Sequence, residues 1–184
     1  MQDRVRWLGL TVLLIVVGAG WIWHSSIPTS ATTGGLIPSP REGFLAPDFT
    51  LDLVGGGQVT LSALRGDVVL INLWASWCPP CRAEMPAIQQ LYEANRERGF
   101  EVLAINMTYQ DSETAAVEFA QDLGLDFPIL LDREGLVGNQ YQLRSLPTSF
   151  FVDRGGVIRQ VILGGPMSEV TLRTAIETLL EEES

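Results

Sequence analysis

An α/β fold with a mixed central sheet flanked by helices is predicted by three features of the sequence. Val68 to Trp74 reads VVLINLW, apolar except for Asn72, as a strand buried on both faces of a sheet must be. That run feeds a helical pattern from Pro79 to about Arg98, with Met85, Ile88, Leu91 and Tyr92 at helical spacing and Gly99 closing it. From Gly43 onward, strand-like and helical runs keep alternating, the pattern of a layered α/β domain.

The remaining elements follow in order. Phe49–Leu53 and Gln58–Leu61 are short alternating runs around Gly55-Gly56-Gly57, which predicts a hairpin. Val68–Trp74 takes the centre of the sheet, and Phe100–Asn106 is the next strand. A helix is expected over Asp111–Leu123, ended by Gly124, then a short strand over Phe127–Leu131 and a weak helix over Glu134–Tyr141. Ser149–Val152 and Val157–Leu163 flank the turn Asp153-Arg154-Gly155-Gly156 as an antiparallel hairpin near the sheet edge. Ser168 caps a final amphipathic helix carrying Val170, Leu172, Ile176, Leu179 and Leu180.

Ahead of this domain, Trp7 to Trp23 contains no charged residue. At about 1.5 Å per residue the run reaches about 26 Å, slightly under a hydrocarbon core, a mismatch that flanking residues and local thinning absorb. Arg4 and Arg6 precede it and the next basic residue is Arg41, so the N-terminus is expected in the cytoplasm and the domain outside. A cleaved secretory signal is the competing reading, with Thr29-Ser30-Ala31 as the small-residue pattern; it leads to the same side of the membrane. A buried helix of a soluble domain is the third. No Cys precedes Cys78, which excludes a lipoprotein anchor. His24 to Glu42 is rich in Ser, Thr, Gly and Pro, a flexible tether. The expected organisation is 1–6 cytoplasmic, 7–23 transmembrane, 24–42 linker and 43–184 globular domain.

Composition narrows the chemistry. The 184 residues carry a net charge of −10, 22 acidic against 12 basic, all of the latter Arg, so nucleic acid is a poor partner. Two Cys and one His, His24, cannot assemble a four-ligand zinc site. Nor does the domain hold a His to serve a Cys or Ser nucleophile as general base.

The strong signal is Trp77-Cys78-Pro79-Pro80-Cys81, placed where the buried strand hands over to a helix. Unsatisfied N–H groups and the positive end of the helix dipole favour the thiolate of a Cys in the first turn, so Cys78 is the candidate nucleophile. Cys81, one turn on, is placed to close a disulfide with it and release a mixed-disulfide partner. Pro79 and Pro80 fix φ and remove amide donors from the loop between the sulfurs, which tunes the reduction potential in a direction the sequence does not give. A static structural bridge is the bland alternative, disfavoured because so short a loop removes little chain entropy.

Three ordered stretches, Ala46-Pro47-Asp48-Phe49, Asn72 to Pro86 and Leu146-Pro147-Thr148-Ser149-Phe150, make residues 43–182 resemble the thioredoxin superfamily. Specifically, they resemble the membrane-tethered TlpA/ResA/CcmG-like thiol-disulfide oxidoreductases. The resemblance implies a thioredoxin-like fold and a cis Pro147 beside the cysteines, with Leu146 offering backbone to a docked substrate. An ordinary trans turn proline is the alternative. Where thioredoxin has a buried Asp, this chain has Asn72, which takes up no proton; in ResA-like members a Glu shortly after the second Cys tunes the thiols, a spacing Glu84 matches. That carboxylate is expected to relay the proton of Cys81, against the alternative of an idle Glu near a helix N-terminus. Trp77 either shields the active site or packs in the core.

The resemblance further implies an extracytoplasmic dithiol reductant fed by a transmembrane CcdA- or DsbD-like donor. Its clients would be proteins with disulfides, apocytochrome c or copper-site cysteines leading, and no cofactor is expected beyond the cysteine pair. Three alternatives stand beside it. A disulfide-forming oxidase would show a higher potential; a Sco-like copper-delivery protein would use two Cys and a distant His, absent from this domain. A thiol peroxidase also suits Ala46-Pro47-Asp48-Phe49 but calls for Thr where Ala75 stands.

Overall fold

The computed structural model describes residues 37–182. The expected transmembrane run, the cytoplasmic N-terminus and linker residues 24–36 lie outside them. Among the described residues no helix is long and apolar enough to cross a membrane.

Seven strands form one mixed sheet: β1 (Thr50–Leu53), β2 (Gln58–Thr60), β3 (Val68–Trp74), β4 (Phe100–Asn106), β5 (Ile129–Leu131), β6 (Thr148–Val152) and β7 (Ile158–Leu163). Their spatial order is β2-β1-β5-β4-β3-β6-β7. β3, β4 and β5 run parallel, whereas β6 pairs antiparallel with β3 and β1 antiparallel with β5. The helices are α1 (Pro79–Asn95), α2 (Glu113–Leu123), α3 (Leu136–Gln140) and α4 (Glu169–Glu181). All seven residues of β3 are buried between β4 and β6, as its apolar run requires.

The period-two alternation of β3 sorts its side chains onto two cores. Val68, Leu70 and Trp74 pack with α1, α2 and α4 residues such as Met85, Ile88, Phe119 and Leu172. Val69, Ile71 and Leu73 face Phe49, Leu61, Val137 and Tyr141 on the other side. Asn72 shares the parity of Leu70 and Trp74, so a polar group enters the α1 side at the active-site end of the strand.

The motif Ala46-Pro47-Asp48-Phe49 acquires a structural role. Tyr141 donates its hydroxyl to the Pro47 carbonyl (2.7 Å), Phe49 packs edge-on against Tyr141, and Asp48 accepts the Ser62 N–H (2.8 Å). The β1–β2 hairpin turns through Gly55, Gly56 and Gly57, all at positive φ, where side-chain-bearing residues are strained.

Several boundaries move from their expected places, each for a local reason. α1 stops at Asn95, whose side chain bonds the Leu91 carbonyl, and a 3₁₀ turn at Arg96–Arg98 completes the run to Gly99. α2 begins at Glu113 rather than Asp111, because Ser112 caps it and the Asp111 carboxylate is drawn to the active-site loop. Gly135, at φ 70°, starts α3 late, and Leu61 enters a 3₁₀ turn instead of extending β2. Thr148 joins β6 through its pairing with Leu73, while β7 starts at Ile158 and β5 at Ile129.

Residues near the expected linker boundary already bind the domain. The Ser39 N–H donates to the Leu45 carbonyl (3.0 Å), and Glu42 Oε1 accepts the Val161 N–H (2.8 Å), covering part of the β7 edge.

Candidate active site

β3 ends at Trp74, Ala75-Ser76-Trp77 turns the chain, and Cys78 is the N-cap of α1. Pro79 and Pro80 occupy the first two helical positions, which therefore have no N–H to offer. The remaining donor of the first turn, the Cys81 N–H, points at Cys78 Sγ at 3.4 Å. One backbone dipole is thus aimed at the sulfur that the helix end already favours as thiolate.

Cys78 and Cys81 are joined as a disulfide with their Cα atoms 5.3 Å apart, the geometry expected of positions one turn apart. Their surroundings differ. Both are buried, Cys78 at 3% and Cys81 at 0% exposure, but Cys78 lines a groove of about 420 Å³ together with Trp77, Pro79, Pro80, Tyr109 and Leu146, and Cys81 does not reach it. Trp77 is 55% exposed, with its indole N–H on the Gln110 carbonyl (3.1 Å), so it forms a groove wall and not a core residue; the core aromatic is Trp74, packed on Phe119. The Leu146–Pro147 bond is cis, and Leu146 lies at the groove.

Glu84 falls one turn beyond Cys81 on the buried stripe of α1. Its side chain is held from two sides. Asn72 Nδ2 donates to Oε1 (2.8 Å) and also to Ser149 Oγ (2.9 Å), while the Met167 N–H donates to Oε2 (3.0 Å). Burial pushes this carboxyl above the usual glutamate range, and the two donors only partly pull it back. Glu84 is thus a buried, hydrogen-bonded carboxyl and not a solvent-facing residue of the helix start. Asn72, read from sequence as a position without a proton to exchange, is what orients the carboxyl.

Gly165 closes the other side. A Cβ built there would stand 2.7 Å from Pro147 Cγ and 2.9 Å from Glu84 Oε2. Only a glycine lets the segment after β7 approach both the proline and the carboxylate. Sequence reasoning missed this residue, and the available signal was Gly164-Gly165-Pro166 just after a strand.

Asp111, also missed, secures the turn ahead of Cys78. Its carboxylate accepts Ser76 N–H (2.6 Å), Ser76 Oγ–H (2.7 Å), Asn106 Nδ2 (2.7 Å) and Ser112 N–H (2.8 Å). Arg82 adds a bond to the Ser76 carbonyl (3.1 Å) and lies over the Phe119 ring. Burial works upward on the Asp111 carboxyl, but these four donors outweigh it and hold it below the usual range. A carboxylate lowered on folding stabilises the fold above its ordinary pKa, and this contribution fades as pH falls through the lowered value. Asp111→Ala is expected to cost about 1–3 kcal/mol by stranding these donors, read as a shift of the urea midpoint at neutral pH that shrinks in acid.

A sheet that delivers a Cys-Pro-Pro-Cys pair to a helix N-terminus, beside a cis proline, defines a thioredoxin-like thiol-disulfide oxidoreductase. Residues 43–161 match the AhpC/TSA family, and the chain belongs to that family. Among its relatives, thiol-disulfide oxidoreductase ResA of Geobacillus kaustophilus is 34% identical over 163 residues, covering 89% of each chain. The thioredoxin-like protein YneN of Bacillus subtilis is 36% identical over 161 residues, 86% of this chain and 90% of that one. A crystal structure from Chlorobium tepidum, described as a thiol:disulfide interchange protein of the DsbE type, superposes with a TM-score of 0.70 at 33% identity, covering 76% of this chain and 98% of that one. This chain is accordingly an enzyme, a thiol-disulfide oxidoreductase of the ResA/DsbE type.

Proposed function

We propose that the enzyme is a dithiol reductant of client proteins, held at the outer face of the membrane by residues 7–23. The Cys78 thiolate attacks one sulfur of a client disulfide, forming a mixed disulfide and expelling the other client sulfur as thiolate, which takes a proton. Cys81 then gives up its proton, attacks Cys78 Sγ, and releases the second client thiol as the Cys78–Cys81 bridge closes. Two electrons pass to the client, and a transmembrane donor of CcdA or DsbD type restores the dithiol. Glu84 takes the Cys81 proton, with Asn72 and the Met167 N–H as its supports. Pro147 and Leu146 form the floor on which the client backbone lies. Haem-site cysteines of apocytochrome c, or copper-site cysteines, are the clients that the family resemblance implies.

The observation that carries this reading is the asymmetry of the two cysteines: Cys78 lines the groove and Cys81, with no exposed surface, does not. The membrane tether rests on the uncharged Trp7–Trp23 run behind Arg4 and Arg6. A dithiothreitol redox titration of the full-length chain, paired with insulin reduction, tests the direction of flow. A potential near that of thioredoxin, about −270 mV, is expected; one near that of the oxidase DsbA, about −120 mV, would replace the reductant by an oxidase.

A further inference from the structure

We propose that Arg144 selects clients carrying an acidic side chain beside the cysteine that joins Cys78, a preference that rests on the reductant reading and refines it. Every other side chain lining the Cys78 groove is uncharged: Trp77, Tyr109, Leu143 and Leu146 supply apolar walls, and Gln110 and Ser145 are neutral. Arg144 is exposed and has no hydrogen-bond or ion-pair partner among the described residues, so its five donors face solvent. It also lines the adjoining concavity of about 320 Å³, where Arg41 and the 64% exposed Leu163 stand. Glu42, in the same concavity, has one carboxylate oxygen taken up by the Val161 N–H. A segment lying in the groove with its cysteine on Cys78 therefore passes a guanidinium, and in one direction meets a second beyond it.

Chemistry identifies the occupant. Asp111 follows the groove residue Gln110 in the chain, but four donors from this chain engage its carboxylate. The chain carries a net charge of −10, so its general field repels acidic partners, and Arg144 is the one charged side chain lining the groove that attracts them. An acidic segment is thus accepted in the register that sets its carboxylate on Arg144. Such a register also positions the client disulfide for attack, because a guanidinium fork holds a carboxylate in a defined plane. An apolar segment would fill the walls equally well but leave the guanidinium unpaired beneath it.

The test compares three short peptides, each with one cysteine in mixed disulfide with 2-mercaptoethanol and with Glu, Gln or Arg at the positions flanking it. They are reduced by the full-length chain and by its Arg144→Gln and Arg144→Glu variants. Wild type is expected to favour the Glu peptide over the Gln peptide by about two- to fivefold in kcat/KM, the range for an exposed ion pair. The preference should disappear in Arg144→Gln and pass to the Arg peptide in Arg144→Glu. Each ratio is taken within one protein, so a loss of stability in a variant cancels. Should either variant fail to fold, the wild-type ratio and its collapse in 1 M salt decide the matter. Equal rates for the three peptides in wild type, or one ratio shared by all variants, overturn the inference while insulin reduction continues. Loss of insulin reduction as well removes the reductant reading itself.

Discussion

A Cys81→Ser chain is expected to stop at the mixed disulfide, so that client protein accumulates as a covalent adduct on Cys78 and multiple turnover falls by about 10³-fold or more. The chain has two cysteines, so no other thiol of its own can attack the Cys78–client bond. Cys78→Ser is expected to do something different: no adduct and no turnover, because the surviving Cys81 is fully buried and lies outside the groove. Mass spectrometry of each variant after exposure to an oxidised client, with insulin turnover in parallel, reads both outcomes. Misfolding does not mimic the contrast. Losing a bridge between residues three apart removes about 2 kcal/mol of chain-entropy stabilisation, small beside the 5–15 kcal/mol of a typical domain. Equal trapping by both variants would show that the two sulfurs are exchangeable and would end the division of labour between nucleophile and resolving thiol.

The division between what was legible in the sequence and what was not follows the range of the interactions. β3 could be read because burial on both faces leaves a continuous apolar run, and the position of Cys78 at a helix start because strand, turn and Pro-Pro are contiguous in the chain. Glu84 could be singled out by spacing and resemblance, but its partners could not. Asn72 is twelve residues away and Met167 lies 83 residues on, and only the sheet order brings β3, α1 and the segment after β7 together. The helical pattern ending at Gly124 places Asp111 at its start. Its bond to Ser76 spans 35 residues and won over the helix, leaving Ser112 to cap. Arg144 carried no motif at all, and its meaning comes from the uncharged side chains that line the groove with it.

The Glu84 cradle gives the other large expected effect. Gly165→Ala puts a methyl group 2.7 Å from a proline ring carbon and 2.9 Å from the carboxylate, and a proline ring cannot swing aside. The segment carrying Met167 must retreat instead, which is expected to cost about 2–5 kcal/mol from overpacking and the loosened N–H···Oε2 bond. Without that donor the charged carboxylate is held less well, so Glu84 titrates still higher. The sign is fixed by linkage: a carboxyl raised by burial favours the folded state fully below its ordinary pKa, and the benefit is lost as pH climbs through the raised value. Glu84→Gln separates charge from shape. Asn72 Oδ1 has no partner among the described residues, so rotating the Asn72 amide would let it accept from the new side-chain NH₂ while the Met167 N–H keeps an oxygen acceptor. Urea midpoints from pH 4 to pH 8 should therefore decline for wild type relative to Glu84→Gln, which stays folded and loses the alkaline limb of its thiol pH profile. Gly165→Ala should fall below wild type at every pH. A glutamine variant that tracks wild type across the whole range would mean that Glu84 titrates alike in the folded and unfolded chain, and no raised carboxyl would stand ready for the Cys81 proton.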